Sequence, residues 1–479
     1  MRDLARNAVD AATTAGADYA DARAVTRRSQ TVATRNGEVE SVSDAESAGI
    51  GVRVLVRGAW GFACDPRLDE EGAREAARRA VSFAGASASR LKRNVELVPT
   101  PGARGEYRTD ARRNPVDVPL EEKIELCLRA DDALAAPGIA VRQVSVRAQC
   151  ERRALASSEG ADVVQDLWES GGGIDALAIA DGRAQTRSYP SSHGGSSAQA
   201  GWEYVEALGL DRHAPRVAEE AQALLRADPC PARMTTVVID AEQMQLQVHE
   251  SVGHPTELDR VFGTEAAYAG TSFLRAEDAG RFRYGSEVMN VTADPTTPGG
   301  LGTFAWDDEG VPARREPVVE AGVLRAFMSS RETAALLGTG AGGSMRADGW
   351  SRMPLVRMTN LHLEPGEGTL EDLLADVDEG VYLATNKSWS IDDKRLNFQF
   401  GTEIAWEIRR GRLGRMLRDA TYTGVTPIFW GSLDGVAGRD EWQLHGLTNC
   451  GKGQPGQHAH VSHGAAPARF RNVQVGVRS

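Results

Sequence analysis

The stretch TTVVIDAEQMQLQVHESVGH, residues 235–254, sets the architecture of the second half of the chain. Its first five residues, Thr235 to Ile239, have the β-branched, apolar make-up of a buried strand. Asp240 then offers a side-chain oxygen as N-cap to a helix expected from Ala241 to about His254. That helix ends in His249-Glu250-Ser251-Val252-Gly253-His254, with its histidines five residues apart. At about 100° per residue they point roughly 140° apart on a regular α-helix, so they cannot face one metal ion. A π-type bulge would bring them together, and such bulges concentrate at functional sites. Gly253 eases the distortion, and Pro255 opposes regular continuation. The spacing therefore predicts a distorted helix around Gly253.

These residue types have a chemical logic. Neutral imidazole nitrogens bind zinc, and a neighbouring carboxylate takes a proton from the zinc-bound water. A histidine pair that merely caps or packs a helix has the same spacing, so the third ligand decides. A catalytic zinc site has three protein ligands and one open position. The candidates are Glu257, Asp259, His445, Cys450 and the tail histidines His458, His460 and His463. The tail reads as an exposed polar segment. Cys450 lies in the turn-like Asn449-Cys450-Gly451-Lys452-Gly453, where Lys452 would lower the thiol pKa. Chemistry alone leaves these alternatives open.

Outward from this stretch, Asp228-Pro229-Cys230-Pro231 reads as a linker or sharp turn. It divides the chain into residues 1–228 and 229–479. The first part mixes helices with strands. Helical spacing runs over 4–15, 70–83, 119–135 and 213–227. Asn36-Gly37 is a hairpin signal between two strands, and Ser158-Glu159-Gly160 resembles it, suggesting two related halves of helix plus strands. The second part is strand-rich, with strands expected at 318–327 (turning at Ala321-Gly322), 398–408 and 470–477. The expected fold class is α+β, with an N-terminal mixed helix and antiparallel-sheet domain and a strand-rich C-terminal domain.

Composition agrees with a globular chain. Of 479 residues, 41% are hydrophobic and 25% charged, the balance of a folded soluble protein. A formal net charge of -12 argues against nucleic acid as the main partner. No apolar stretch follows the first charges and no long apolar run exists, so neither a leader nor a membrane span is expected and the cytoplasm is the expected location. Five cysteines, an odd number at long spacings, do not make a disulfide framework. Cys64, Cys127, Cys150 and Cys230 read as small buried residues.

Gly338-Thr339-Gly340-Ala341-Gly342-Gly343 fits G-x-G-x-x-G, but a helical stretch precedes it where a dinucleotide site needs a strand. It reads as a loop. Ser191-Ser192-His193-Gly194-Gly195 lacks the strand-to-helix elbow that exposes a nucleophilic serine and is also read as a loop. Arg357 and Asn360 are candidates for binding substrate backbone or a developing oxyanion, or for fixing a strand end.

The ordered set of these segments resembles the TldD/PmbA family of peptidases, in its TldD-like, metal-bearing branch. The likeness covers nearly the whole chain. It is carried by His249 to His254 with Glu257 and Asp259, then Asp307-Asp308-Glu309-Gly310, Arg357-Met358-Thr359-Asn360 and Cys450-Gly451-Lys452. In the first part Asn36-Gly37 and Gly49-Ile50-Gly51-Val52-Arg53 also match. The pattern is departed from at Pro255, Thr256 and Leu258. The resemblance implies zinc held by His249, His254 and Cys450, with Glu250 as the general base activating the zinc-bound water. Glu257 and Asp259 would orient the histidines. It further implies hydrolysis of unfolded proteins or short peptides, and a homodimer or a heterodimer with a metal-free TldE/PmbA-like paralogue. The alternatives are a non-catalytic partner subunit of such a complex and a structural zinc protein.

Overall fold

Two long hairpins organise the first half of the structure, a computed structural model that describes residues 1–476. Tyr19–Arg35 pairs with Glu38–Val56, and Ile139–Ser157 with Asp162–Ala180. The hairpins join antiparallel, Asp21 opposite Ser157 and Arg35 opposite Gln143. Asn36 and Gly37 both take positive φ, 52° and 85°, as a type I′ turn requires. The Ser158-Glu159-Gly160 turn lies at the other end of the same pair. The expected repetition is present in the element order. Each half runs helix, long hairpin, short strand, helix. The first has Arg2–Thr14, Ala59–Asp65 and Glu70–Ala88 about its hairpin. The second has Leu120–Ala133, Arg183–Tyr189 and Leu210–Arg226. Pro119 is the N-cap of its helix and not its first helical residue.

Helix packing follows composition. Ala5, Ala8 and Ala12 of the first helix and Ala73, Ala76, Ala80 and Ala84 of the second meet Ala20, Ala22, Ile50 and Val52 of the sheet. Alanine keeps these helices near the strands at no side-chain entropy cost. In the second half Cys127, Trp202, Val217 and Ala221 pack on Val144, Val146, Ile174 and Ala176.

Beyond residue 228 two sheets share one core. Arg233–Ile239 pairs with Glu379–Ile391 and Ala468–Val475. Pairing continues through Thr421–Val425 to Asn397–Arg409, which returns to Glu379–Ile391 and closes a five-strand ring. The final strand was expected at 470–477; residue 477 lies outside the described residues. A second sheet of six strands ends in Asn360–Leu363, Gln457–Ala465 and the edge strand Gln443–Lys452. The helix Ala241–Val248 packs against both sheets, with Met244, Val248 and Val252 in the common core beside Leu361, Phe400 and Phe470. The fold is α+β. Among the described residues no helix is long and apolar enough to cross a membrane.

Candidate metal centre

The site starts from the expected strand and cap. The Asp240 carboxylate accepts a hydrogen bond from the Gln243 N–H at 2.7 Å, and the helix runs Ala241–Val248. His249–Gly253 is a π turn, closed by a bond from the His254 N–H to the His249 carbonyl. The predicted distortion is therefore present. Its freed carbonyls find side chains: Tyr284 Oη donates to Ser251 O, and Thr256 Oγ1 donates to Val252 O and Gly253 O. Gly253 has an ordinary helical φ of -59°, so freedom at φ is not its contribution. A Cβ there would stand 2.1 Å from Met358 Sδ. Glycine is required for that close approach.

The π turn brings His249 and His254 together, ring centroids 4.9 Å apart and planes nearly perpendicular. Cys450 arrives from the edge strand, beyond an irregularity after Leu447. Its Sγ lies 3.8 Å from His254 Nε2. One ligating atom from each of the three falls within 4.8 Å of the others, and all three residues are buried.

Hydrogen bonds fix the imidazole tautomers. His463 Nδ1 donates to Leu361 O at 3.1 Å, so in the neutral ring Nε2 is an acceptor. His249 Nδ1 lies 2.7 Å from it and must donate. His254 Nδ1 donates to Glu257 Oε2 at 3.0 Å. Both outer nitrogens carry the proton, and both Nε2 lone pairs are left for a metal. Burial pushes His249 below its usual pKa and His254 and His463 well below theirs, which keeps the rings neutral. Burial alone would raise the Cys450 thiol, but the Arg357 guanidinium leads the influences that oppose it and the thiol lies below its ordinary value. Two neutral imidazoles and an easily ionised thiol are a donor set that fits zinc.

Behind His254 a charged knot is buried. Glu257, Asp259 and Glu265 surround Lys452 Nζ at 3.3, 2.8 and 3.2 Å. Lys452 thus serves carboxylates, and Arg357 takes the role by the thiol expected of it. Glu257 reaches His254 directly; Asp259 reaches it only through Lys452 and Glu257. Arg357 donates to the Cys450 and Gln457 carbonyls. Asn360 is tied to Asp294 O, Thr303 Oγ1 and the Gly302 N–H. Both are buried in the framework, and neither lines the cavity beside His249, His254 and Cys450. The tail is no exposed segment: Gln457–Ala465 is a strand between two others. His460 pairs with Glu169, and buried His445 meets Gln443.

His249, His254 and Cys450 open on a cavity of about 250 Å³. Glu250 lines it, held by an ion pair with Arg395. Arg395, at φ 64°, comes from the turn between two ring strands, and its buried Nε has no hydrogen-bond partner among the described residues. The loop expected at 191–195 is a loop, but it reaches into this cavity. Arg395 was not singled out from the sequence; His463 was named there only as a candidate ligand and residues 191–195 only as a loop, and no local signal marks the place of either at the cavity.

Family comparisons cover the chain in three pieces: PmbA/TldA metallopeptidase domain 1 at residues 20–84, the central domain at 113–227 and the C-terminal domain at 232–477. A metalloprotease of Methanothermobacter thermautotrophicus is 31% identical over 461 residues, 96% of this chain and 95% of that protein. A zinc metalloprotease TldD homolog of Saccharolobus solfataricus is 26% identical over 241 residues, 50% of this chain and 51% of that protein. The crystal structure of TldE from Thermococcus kodakarensis superposes with a TM-score of 0.76 at 16% identity, covering 99% of this chain and all of that one. That likeness carries the fold alone.

Proposed function

We propose zinc-dependent hydrolysis of peptide bonds as the chemistry of this chain, which belongs to the PmbA/TldA metallopeptidase family and is a metallopeptidase. One observation carries the reading. Two tautomer-fixed histidines and a thiol aim three donors at one point, on a cavity that Glu250 also lines. His249, His254 and Cys450 would hold the ion. When bound, zinc supplies a Lewis acid that polarises a carbonyl and makes water acidic near neutral pH.

The chain's own groups do the rest. Glu250 takes the proton of the attacking water and returns it to the leaving amine as the C–N bond breaks. Arg395 keeps the Glu250 carboxylate turned towards the cavity. Glu257 and His463 hold the imidazoles in the ligating tautomer, and Arg357 fixes the Cys450 backbone. Asn360 keeps its strand in register. Substrates are unfolded protein segments or short peptides, which a cavity of this volume admits in part. The chain works in the cytoplasm as a homodimer, or with a metal-free TldE/PmbA-like paralogue. Residues 1–228 and 229–479 form its two domains, the first supplying the loop 191–195 to the cavity of the second.

Metal analysis and peptide cleavage test this. Glu250→Gln is expected to keep zinc and lose cleavage by about a hundredfold or more; full activity would refute the mechanism. Cys450→Ala is expected to lose zinc, and a wild-type metal content would refute the ligand set.

A further inference from the structure

Glu242 lies seven residues before His249. Seven residues are about two helical turns, or ~10 Å along the axis, and return to nearly the same face. Both side chains line the metal cavity, and Leu246 lines it between them. Trp389, 43% exposed, forms part of the wall from the neighbouring strand.

Glu242 is itself only 7% exposed. Its carboxylate accepts from Ser191 Oγ at 2.5 Å and from the Asn386 N–H at 2.9 Å, so each oxygen keeps a free acceptor position. What it lacks is a counter-charge. Among the described residues no lysine, arginine or histidine stands within ion-pair distance of it. The nearby charges are Asp240 at the helix N-cap and Glu403, both of its own sign, and Arg187, which is already taken by Glu403 and Glu220. A buried carboxylate is ordinarily paired or held neutral. Burial first, and then Asp240, push Glu242 up to about 7.

We propose that Glu242 is a specificity-determining residue that receives a cationic group of the peptide substrate, in the part of the cavity reached from His249 past Leu246 and Trp389. The inference rests on the peptidase reading. An organic cation fits because Leu246 and Trp389 cover an alkyl stem while the carboxylate meets the charge. The span matches two sources. A lysine or arginine beside the scissile bond reaches on the order of 6 Å from its Cα. The free α-ammonium of a peptide cut a few residues from its N-terminus reaches the same place.

Three peptides separate these sources: one with lysine beside the cleaved bond, the same with norleucine, and the norleucine peptide N-acetylated. The wild-type protein is expected to prefer the lysine peptide to norleucine, or the free amine to its acetylated form, by about tenfold or more in kcat/KM. In Glu242→Gln that ratio is expected to fall towards one, while the zinc content shows the site intact. Ratios near one for both wild-type pairs overturn the proposal, as does a ratio unchanged by Glu242→Gln. Calorimetry with butylamine against butanol reads the same site without turnover. The wild-type protein is expected to bind the amine and not the alcohol, and equal binding or none overturns the assignment. Failure of the wild-type protein to cut any peptide, with amine binding intact, would count against the peptidase reading alone.

Discussion

At the scale of single residues, protons decide whether the three donors are usable. His249 and His254 each have two nitrogens, and a metal can take only the one without a proton. Leu361 O fixes His463, His463 fixes His249, and Glu257 fixes His254. In the proposed mechanism His463 acts through its hydrogen bond to His249, as a positioning residue. His463→Ala removes the acceptor and frees His249 to rotate or switch tautomer. Zinc affinity is expected to fall about ten- to a hundredfold, measured by competition with a chromophoric chelator. Unfolding of the metal-free proteins separates this from lost packing. Wild-type zinc affinity in a folded His463→Ala protein would refute the relay.

At the scale of elements, the π turn is the device that brings two histidines five residues apart into contact, as the proposed zinc site requires. It is held by Tyr284, Thr256 and the close approach of Met358 to Gly253. Gly253→Ala puts a methyl where Met358 Sδ stands. It is expected to cost roughly 1–3 kcal/mol of stability by overpacking, read by denaturant unfolding, and to weaken zinc binding as the turn shifts. Met358→Ala in the same chain makes room and is expected to recover part of both. Full stability of the single variant would mean that the turn yields freely. The turn was legible in advance because His249 and His254 pose a geometric conflict that few backbones resolve. The strand and cap before it, Thr235 to Asp240, were legible from local composition. Arg395 was not, and His463 was named only as a candidate ligand and not as the hydrogen-bond partner of His249, since each reaches the site through strand pairings that no local pattern encodes. The tail histidines misled for a related reason. His458, His460 and Ser462 make Gln457–Ala465 read as polar, yet the strand lies between Asn360–Leu363 and Gln443–Lys452 and is mostly buried.

At the scale of the molecule, several motifs that carried the family likeness join the first part of the chain to the second. Arg53 pairs with Asp21 and with Glu309 at 3.1 Å, and Arg153 with Asp308 at 3.0 Å. A Cβ on Gly49 would meet the Trp350 ring at 2.4 Å, and one on Gly51 the Trp350 carbonyl at 2.3 Å. These residues join the two parts of the chain, and none of them lines the cavity beside His249, His254 and Cys450. The same junction contains Glu403, 3% exposed, which accepts from the Ser188 N–H and Oγ and from Arg187. Burial outweighs Arg187 and Ser188, and, with Asp175 and Glu242 nearby, Glu403 is pushed up to about 7. An unfolded glutamate titrates near ~4.3. Between these values the folded chain keeps a proton that the unfolded chain has lost, so Glu403 contributes stability at low pH that disappears as pH rises through 7. Buried histidines act oppositely: His362 and His445, lowered to about 4 by burial, gain stability as pH rises through that range. The raw melting curve mixes both signs, and a difference isolates one. Glu403→Gln carries no titration at this position, so its stability relative to the wild-type protein is expected to improve from pH 5 to pH 8 by about 3 kcal/mol. Denaturant unfolding of the metal-free proteins at the two pH values measures it. A difference that stays flat or reverses would mean that Glu403 is already ionised in the folded junction at pH 5, with Arg187 outweighing its burial.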